Sequence, residues 1–168
     1  LEDLDVSDAT FTCPDLTSFC RLDGLGLEVT GQRIEPDRAI LACRPVDADD
    51  WCRDCGGQGL IRGSVVRLLS HVPLGWRPTV LHVRLRRYRC IECGRVWRQD
   101  TSAAAEPRSK LSRAALRWGL EGLVVQHLSM SRIAAGLDKR AANAVQTVLR
   151  PSPPNALSGE PCETKRTG

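Results

Sequence analysis

Two short cysteine motifs constrain the fold of this chain more than any other feature. The first reads WCRDCGG and the second reads RYRCIECGRVW, and 34 residues lie between the last cysteine of the first and the first cysteine of the second. Two residues between cysteines let a tight turn direct both sulfurs at one ion about 2.3 Å away, and a following glycine permits the positive φ angle that closes such a turn. The two pairs therefore predict one tetrahedral site of four thiolates: Cys52, Cys55, Cys90 and Cys93.

Zinc is the ion that this arrangement predicts. Four thiolates complete its coordination sphere and leave no position for water, so we predict one structural ion rather than a catalytic one. A redox dithiol is the alternative that a single CxxC motif would allow, but two glycine-closed pairs around a hairpin favour the metal. Cys43 lies near the first motif and remains a rival ligand. The four cysteines outside the motifs, Cys43 included, are predicted to be packing residues or free thiols: Cys13, Cys20, Cys43 and Cys162.

Charge is distributed unevenly along the 168 residues. Residues 1–50 contain four basic and twelve acidic residues, whereas residues 51–99 contain ten basic and two acidic residues. We therefore expect an anionic partner to bind the middle of the chain. No run of about 18 apolar residues is present, and the acidic start lacks a signal-peptide pattern, so we predict a cytoplasmic protein without a membrane partner.

Alternating apolar positions predict two β-hairpins before residue 100. Residues 25–44 read as two strands joined by a turn around Pro36. Residues 64–71 and 79–89 form the second pair, around the turn formers of the sequence VPLGWRP. Because side chains alternate across a strand, the last of these strands has one core face and one cationic face. The core face holds Leu81, Val83 and Leu85, and the cationic face holds His82, Arg84 and Arg86.

Arginines are concentrated on this last strand and just beyond it. Guanidinium groups bind phosphate oxygens through two parallel hydrogen bonds, which suits the backbone of DNA or RNA. A solvated strand face that resists edge aggregation is the simpler alternative. The excess of basic residues favours nucleic acid. The predicted DNA-binding residues of this region are Arg84, Arg86, Arg87, Arg89, Arg95 and Arg98.

A helical pattern follows a predicted hinge after Asp100. Apolar residues recur at three- and four-residue spacing from Arg113 to about Leu128, with Ser112 placed as an N-cap. A second short helix can begin after Ser129, and a third can follow it. This order is that of a trihelical helix-turn-helix, although core packing without DNA contact remains an alternative. The third helix would present Lys139, Arg140 and Asn143 to base edges.

The predicted fold class is α+β. We expect a small β-rich zinc ribbon with a preceding β-hairpin, then a trihelical helix-turn-helix unit and a disordered tail. None of the three histidines has a carboxylate partner at a telling spacing, so no catalytic residue is predicted: His71, His82 and His127. The predicted units are an acidic segment with a hairpin, the ribbon, the helical unit and the tail, at residues 1–48, 49–101, 109–150 and 151–168.

These segments together resemble the N-terminal region of bacterial insertion-sequence transposases of the family commonly called "L-three". The resemblance covers about residues 10–137 and runs, in order, through TFTCPDLTSFCRLDGLGLEVTG, the two cysteine motifs with HVPLGWRP between them, and KLSRAALRWGLEGLVVQHLSMSRIAAGL. It implies a zinc ribbon and a helix-turn-helix that recognise the terminal inverted repeats of a mobile element. It also implies a nucleoid-associated bacterial protein.

The resemblance also implies that this chain lacks strand-transfer activity. In such transposases a downstream domain of the ribonuclease-H type carries the Asp-Asp-Glu triad for strand transfer, and only 31 residues follow Leu137 here. We therefore predict a truncated, non-enzymatic DNA-binding fragment whose sequence departs from the family after AAGL. A stand-alone zinc-ribbon transcriptional regulator is one alternative, and a zinc-braced protein-interaction module covered by its acidic first 50 residues is another. Homo-oligomerisation is left open.

Overall fold

Five strands and three α-helices make up the described part of the chain, which is residues 15–75 and 77–137 of a computed structural model. The α+β fold class is confirmed. In chain order the elements are α1 (Leu16–Phe19), a 3-10 helix (Asp23–Leu25), β1 (Leu27–Ile34), β2 (Ala39–Pro45), β3 (Gly59–Leu74), β4 (Arg77–Cys90), β5 (Val96–Arg98), α2 (Arg113–Val124) and α3 (Met130–Gly136). The predicted third helix and the predicted disordered tail lie outside the described residues.

All five strands belong to one sheet, in the order β1-β2-β4-β3 with β5 also paired to β4. The two predicted hairpins are both present, and they are joined because β2 pairs with β4 in parallel, from Ala39 opposite Thr79 to Cys43 opposite Val83. The remaining pairings are antiparallel. The first hairpin is therefore part of the sheet that carries the cysteine motifs.

Strands β3 and β4 are longer than the sequence predicts and run from the cysteine motifs to the turn at Gly75. Pro73 and Pro78 were expected to form the turn but lie at the ends of the strands. A proline lacks the N–H donor of a regular ladder, and the pairing is in fact irregular between His71 and Leu74. The turn itself needs only the glycine, whose φ is 62°.

The sheet has a covered face and an open face. Leu81, Val83 and Leu85 point from β4 into the core on the covered face, as predicted. On the open face Arg84 and Arg86 are exposed, while His82 is half-buried. The core of the covered face is completed by residues from the other strands and the flanking segments: Cys20, Leu22, Leu25, Leu27, Leu41, Cys43, Leu69, Ala104 and Ala105.

Residues 101–110 pack against the sheet, so the predicted hinge is wrong. Ala104 and Ala105 are fully buried in the core of the covered face. Arg67 of β3 also contacts residues 101–110, because its guanidinium group donates to the carbonyl oxygens of Glu106, at 2.7 Å, and Ser109, at 3.2 Å. The small alanines have no helical or strand period, which is why the sequence gives no sign of their burial.

Both predicted N-caps of the helices are confirmed. The side chains of Ser112 and Ser129 accept from the backbone N–H three residues further on, which satisfies a donor that the helix leaves free. Helix α2 ends at Val124 rather than near residue 128, and His127, in the connection to α3, has a positive φ of 50°. Gly122 then lets Ile133 of α3 approach α2 closely.

A buried histidine fastens α2 to the sheet. His71 Nε2 lies 3.1 Å from the carbonyl oxygen of Cys20, and Nδ1 lies 2.9 Å from Ser112 Oγ. A carbonyl oxygen only accepts, so Nε2 carries the proton and Nδ1 accepts from the serine hydroxyl. That hydroxyl oxygen in turn accepts from the N–H of Ala115. One neutral imidazole therefore links β3, the segment after α1 and the start of α2.

We predict that His71 makes the folded protein less stable in mild acid. Burial lowers the pKa of His71 below its usual 6.5. The unfolded chain therefore binds a proton as the pH falls through about 6.5 while the folded chain does not, so the free energy of unfolding decreases with falling pH until the folded group also titrates. We expect urea unfolding of the zinc-saturated protein to show that the free energy of unfolding changes less between about pH 7.5 and about pH 5.5 in His71→Gln than in the wild type. Equal pH dependence of the free energy of unfolding in His71→Gln and the wild type would contradict the assignment.

Candidate metal centre and basic surfaces

The two cysteine motifs form paired tight turns at one end of β3 and β4. In the first turn the N–H of Gly56 donates to the carbonyl of Cys52 at 2.9 Å, and in the second the N–H of Cys90 donates to the carbonyl of Arg95 at 2.8 Å. Gly56 and Gly94 have φ values of 75° and 72°. The positive angles expected for these two glycines are confirmed.

The four predicted ligands come together with the spacing that a metal requires. All four sulfurs lie within 4.8 Å of one another. The Sγ atoms of Cys52 and Cys93 are 3.7 Å apart, and those of Cys55 and Cys90 are 3.4 Å apart. A tetrahedral zinc with bonds of about 2.3 Å separates its sulfurs by about 3.8 Å. The cluster can therefore hold a metal ion.

Backbone amides favour the thiolate form in two of these cysteines. The N–H of Cys93 points at the sulfur of Cys90 and lowers the pKa of that thiol to about 7. The N–H of Cys55 similarly lowers the pKa of Cys52. Because a metal binds the thiolate rather than the thiol, these hydrogen bonds reduce the cost of deprotonation on binding.

The rest of this end of the sheet holds the two turns together. Asp54 of the first turn forms an ion pair with Arg95 of the second. Trp97 of β5 stacks on Tyr88 of β4 with ring centroids 5.6 Å apart. A Cβ added to Gly59 would lie 2.6 Å from the Trp97 ring, so a glycine is needed where this ring crosses the start of β3. The cysteine turns are therefore braced by contacts that contain no metal.

Cys43 is not a fifth candidate ligand. Its side chain is buried in the core of the covered face, where Cys20 also lies, and it is absent from the group of sulfurs that could hold an ion. Burial raises the pKa of the Cys43 thiol to about 12. The rival assignment is therefore wrong, and the prediction of a packing role holds for Cys20.

The six arginines predicted on the ribbon do not form one surface. Alternation along β4 places Arg84 and Arg86 on the open face, and Arg87 and Arg89 on the opposite face. Arg98 of β5 pairs in register with Arg87 and shares its face. Arg95 is engaged by Asp54 across the cysteine turns. The remaining predicted DNA-binding residues lie outside the described part of the chain: Lys139, Arg140 and Asn143.

The open face carries a basic groove with a volume of about 890 Å³. Arg84 and Arg86 line it together with His82 and with apolar residues such as Val66. Arg44 also lines the groove, but Glu28 neutralises its charge at 3.0 Å. Neither Arg84 nor Arg86 makes an ion pair within residues 15–75 and 77–137. Their charges are therefore available to an anionic partner.

Sequence reasoning missed two parts of this region. Strand β5 has only three residues, too few to show a period, although Val96 and Trp97 favour strands. Arg67 was not singled out, because its neighbours come from residues more than thirty positions away in sequence. Neither position carries a local signal that would have identified it.

Comparisons with known proteins found no match. No family model, no curated protein and no solved structure matches this sequence or its fold. Among the described residues, no helix is both long enough and apolar enough to cross a membrane.

Proposed function

We propose that this chain is a zinc-braced DNA-binding protein, derived from the N-terminal region of an insertion-sequence transposase of the "L-three" type. The observation that carries the DNA-binding part is the open-face groove, where Arg84 and Arg86 project and have no acidic partner among the described residues. Side chains two residues apart on a strand are separated by about 6.8 Å, so both guanidinium groups can contact neighbouring phosphates of one DNA strand.

Zinc is the metal that the four cysteines suit best. Soft thiolate ligands in a tetrahedral arrangement select zinc or iron–sulfur chemistry, and paired glycine-closed turns are typical of structural zinc. The ion would fix the end of the sheet next to the basic groove. Because the four sulfurs would occupy every coordination position, the proposed role of the metal is structural.

The proposed helix-turn-helix is supported by an apolar stripe on α2. Leu116, Leu120 and Val124 recur every four residues and line a groove with a volume of about 490 Å³. Val124 is 71% exposed. An apolar helix face of this kind is normally covered by another helix. We propose that this face belongs to a helix-turn-helix, and the predicted third helix lies outside the described residues.

Selection from a random duplex library tests this function directly. We expect the zinc-loaded chain to enrich one DNA motif, in the manner of a protein that recognises transposon ends, and to leave the DNA uncut in magnesium or manganese. Removal of zinc should abolish the enrichment. Absence of binding to any duplex at about 50 mM salt, where phosphate contacts are strong, would overturn the proposal. Cleavage or joining of DNA would show that the chain is an enzyme, against the proposal.

A further inference from the structure

A second basic cavity lies on the other side of the sheet from the open-face groove. It has a volume of about 640 Å³ and is formed by β3, β4, β5 and residues 100–109. Leu85 separates Arg67 on one strand from Arg98 on another. Among the described residues, its lining contains one carboxylate, that of Asp100, and four guanidinium groups, those of Arg53, Arg67, Arg98 and Arg108.

Arg67 is held in a fixed orientation by neutral partners. It donates to the Thr101 hydroxyl and to two carbonyl oxygens, those of Glu106 and Ser109. These bonds occupy three of its five N–H donors and leave two for a ligand. Since no partner carries a negative charge, the positive charge of this half-buried side chain is not neutralised.

Arg98 adds a second unneutralised charge. It is exposed and makes no ion pair in the described part of the chain, and neither does Arg108. Burial and the neighbouring charge of Arg98 both lower the pKa of Arg67, which indicates two like charges at close range. Arg53 differs, because Asp49 lies 3.4 Å and Asp100 3.9 Å from its guanidinium group.

We propose that this cavity binds a phosphate group between Arg67 and Arg98. The guanidinium group of Arg98 offers paired N–H donors that match phosphate oxygens, and Arg67 adds a single charge-assisted contact from one of its two remaining donors. An anion between two like charges also relieves their repulsion. The volume suits a phosphate that belongs to a larger molecule. The phosphate comes either from a DNA backbone or from a free phosphorylated molecule, and only the first source rests on the proposed function.

Phosphate titration followed by nuclear magnetic resonance tests the site. With inorganic phosphate at constant ionic strength, we expect the Nε–H signals of Arg67 and Arg98 to shift together and to saturate. Arg98→Gln should weaken the apparent affinity about tenfold, the effect of one charge-assisted contact. Arg33→Gln removes an exposed arginine at the far end of β1, outside the cavity, and should leave the affinity unchanged. Shifts that do not saturate, or that are equal for exposed arginines elsewhere, would overturn the site.

The salt dependence of DNA binding distinguishes the two sources. If DNA supplies the phosphate, Arg98→Gln lowers the slope of log affinity against log salt concentration by about one. An unchanged slope together with weakened phosphate binding assigns the cavity to a free phosphorylated molecule. If the protein binds no DNA duplex but its phosphate titration still saturates, the phosphate site is supported and the proposed DNA-binding function is wrong. If Arg98→Gln changes neither phosphate nor DNA binding, the inference is wrong.

Discussion

Cys90→Ser is expected to abolish metal binding and to unfold the end of the sheet that carries the cysteine turns. The substitution removes one of four sulfurs that lie within 4.8 Å of one another. Structural zinc in such sites contributes on the order of 10 kcal/mol to folding, which is comparable to the whole stability of a small domain. Metal analysis of the purified chain should therefore fall from about one zinc per chain to almost none, with loss of β-sheet signal in circular dichroism.

Cys43→Ala is the matched control for this result. It also removes a sulfur, but from the core of the covered face rather than from the metal cluster. The variant should be less stable than the wild type and should still bind one zinc ion. Full zinc content in Cys90→Ser, or loss of zinc in Cys43→Ala, would contradict the four-cysteine assignment.

The double substitution Arg84→Ala with Arg86→Ala is expected to weaken binding to every DNA sequence. Both side chains line the open-face groove, and no residue in the described part of the chain forms an ion pair with either. Each charge-assisted contact contributes about 1.5 kcal/mol or more, so affinity should fall on the order of a hundredfold. The slope of log affinity against log salt concentration should fall by about two, measured by fluorescence anisotropy over a salt series.

A change in net charge alone must be separated from the loss of these contacts. Arg33→Ala with Arg38→Ala removes two positive charges from the same sheet, at the turn between β1 and β2, where both arginines form ion pairs with Glu35. This control should change affinity much less than the groove variant. Equal losses in the two double variants would show that the groove has no specific role.

Features fixed by neighbouring residues could be predicted from the sequence. The glycines that close the cysteine turns and the serines that cap α2 and α3 act within three or four residues, so their patterns are visible locally. The burial of Leu81 and the exposure of Arg84 follow from alternation along one strand. The four-cysteine cluster was predicted for the same reason, since each half of it is a local motif.

Features that depend on distant parts of the chain could not be predicted. The parallel pairing of β2 with β4 joins two hairpins that are separated by the first cysteine motif, and neither hairpin carries a local sign of it. The division of the arginines between two faces required the register of β5 with β4, which places Arg98 beside Arg87. The cavity that holds Arg67 depends on the position of β5 beside β4 and on the packing of Ala105.

The parallel pairing between β2 and β4 also sets an order of events during synthesis. The hairpin of β1 and β2 leaves the ribosome first, and an isolated hairpin is marginally stable in water. The core around its apolar residues Leu27 and Leu41 is completed when Leu81 and Val83 have emerged. Until then the nascent chain presents an unpaired strand edge next to an apolar face, which is a substrate for chaperones and a starting point for aggregation.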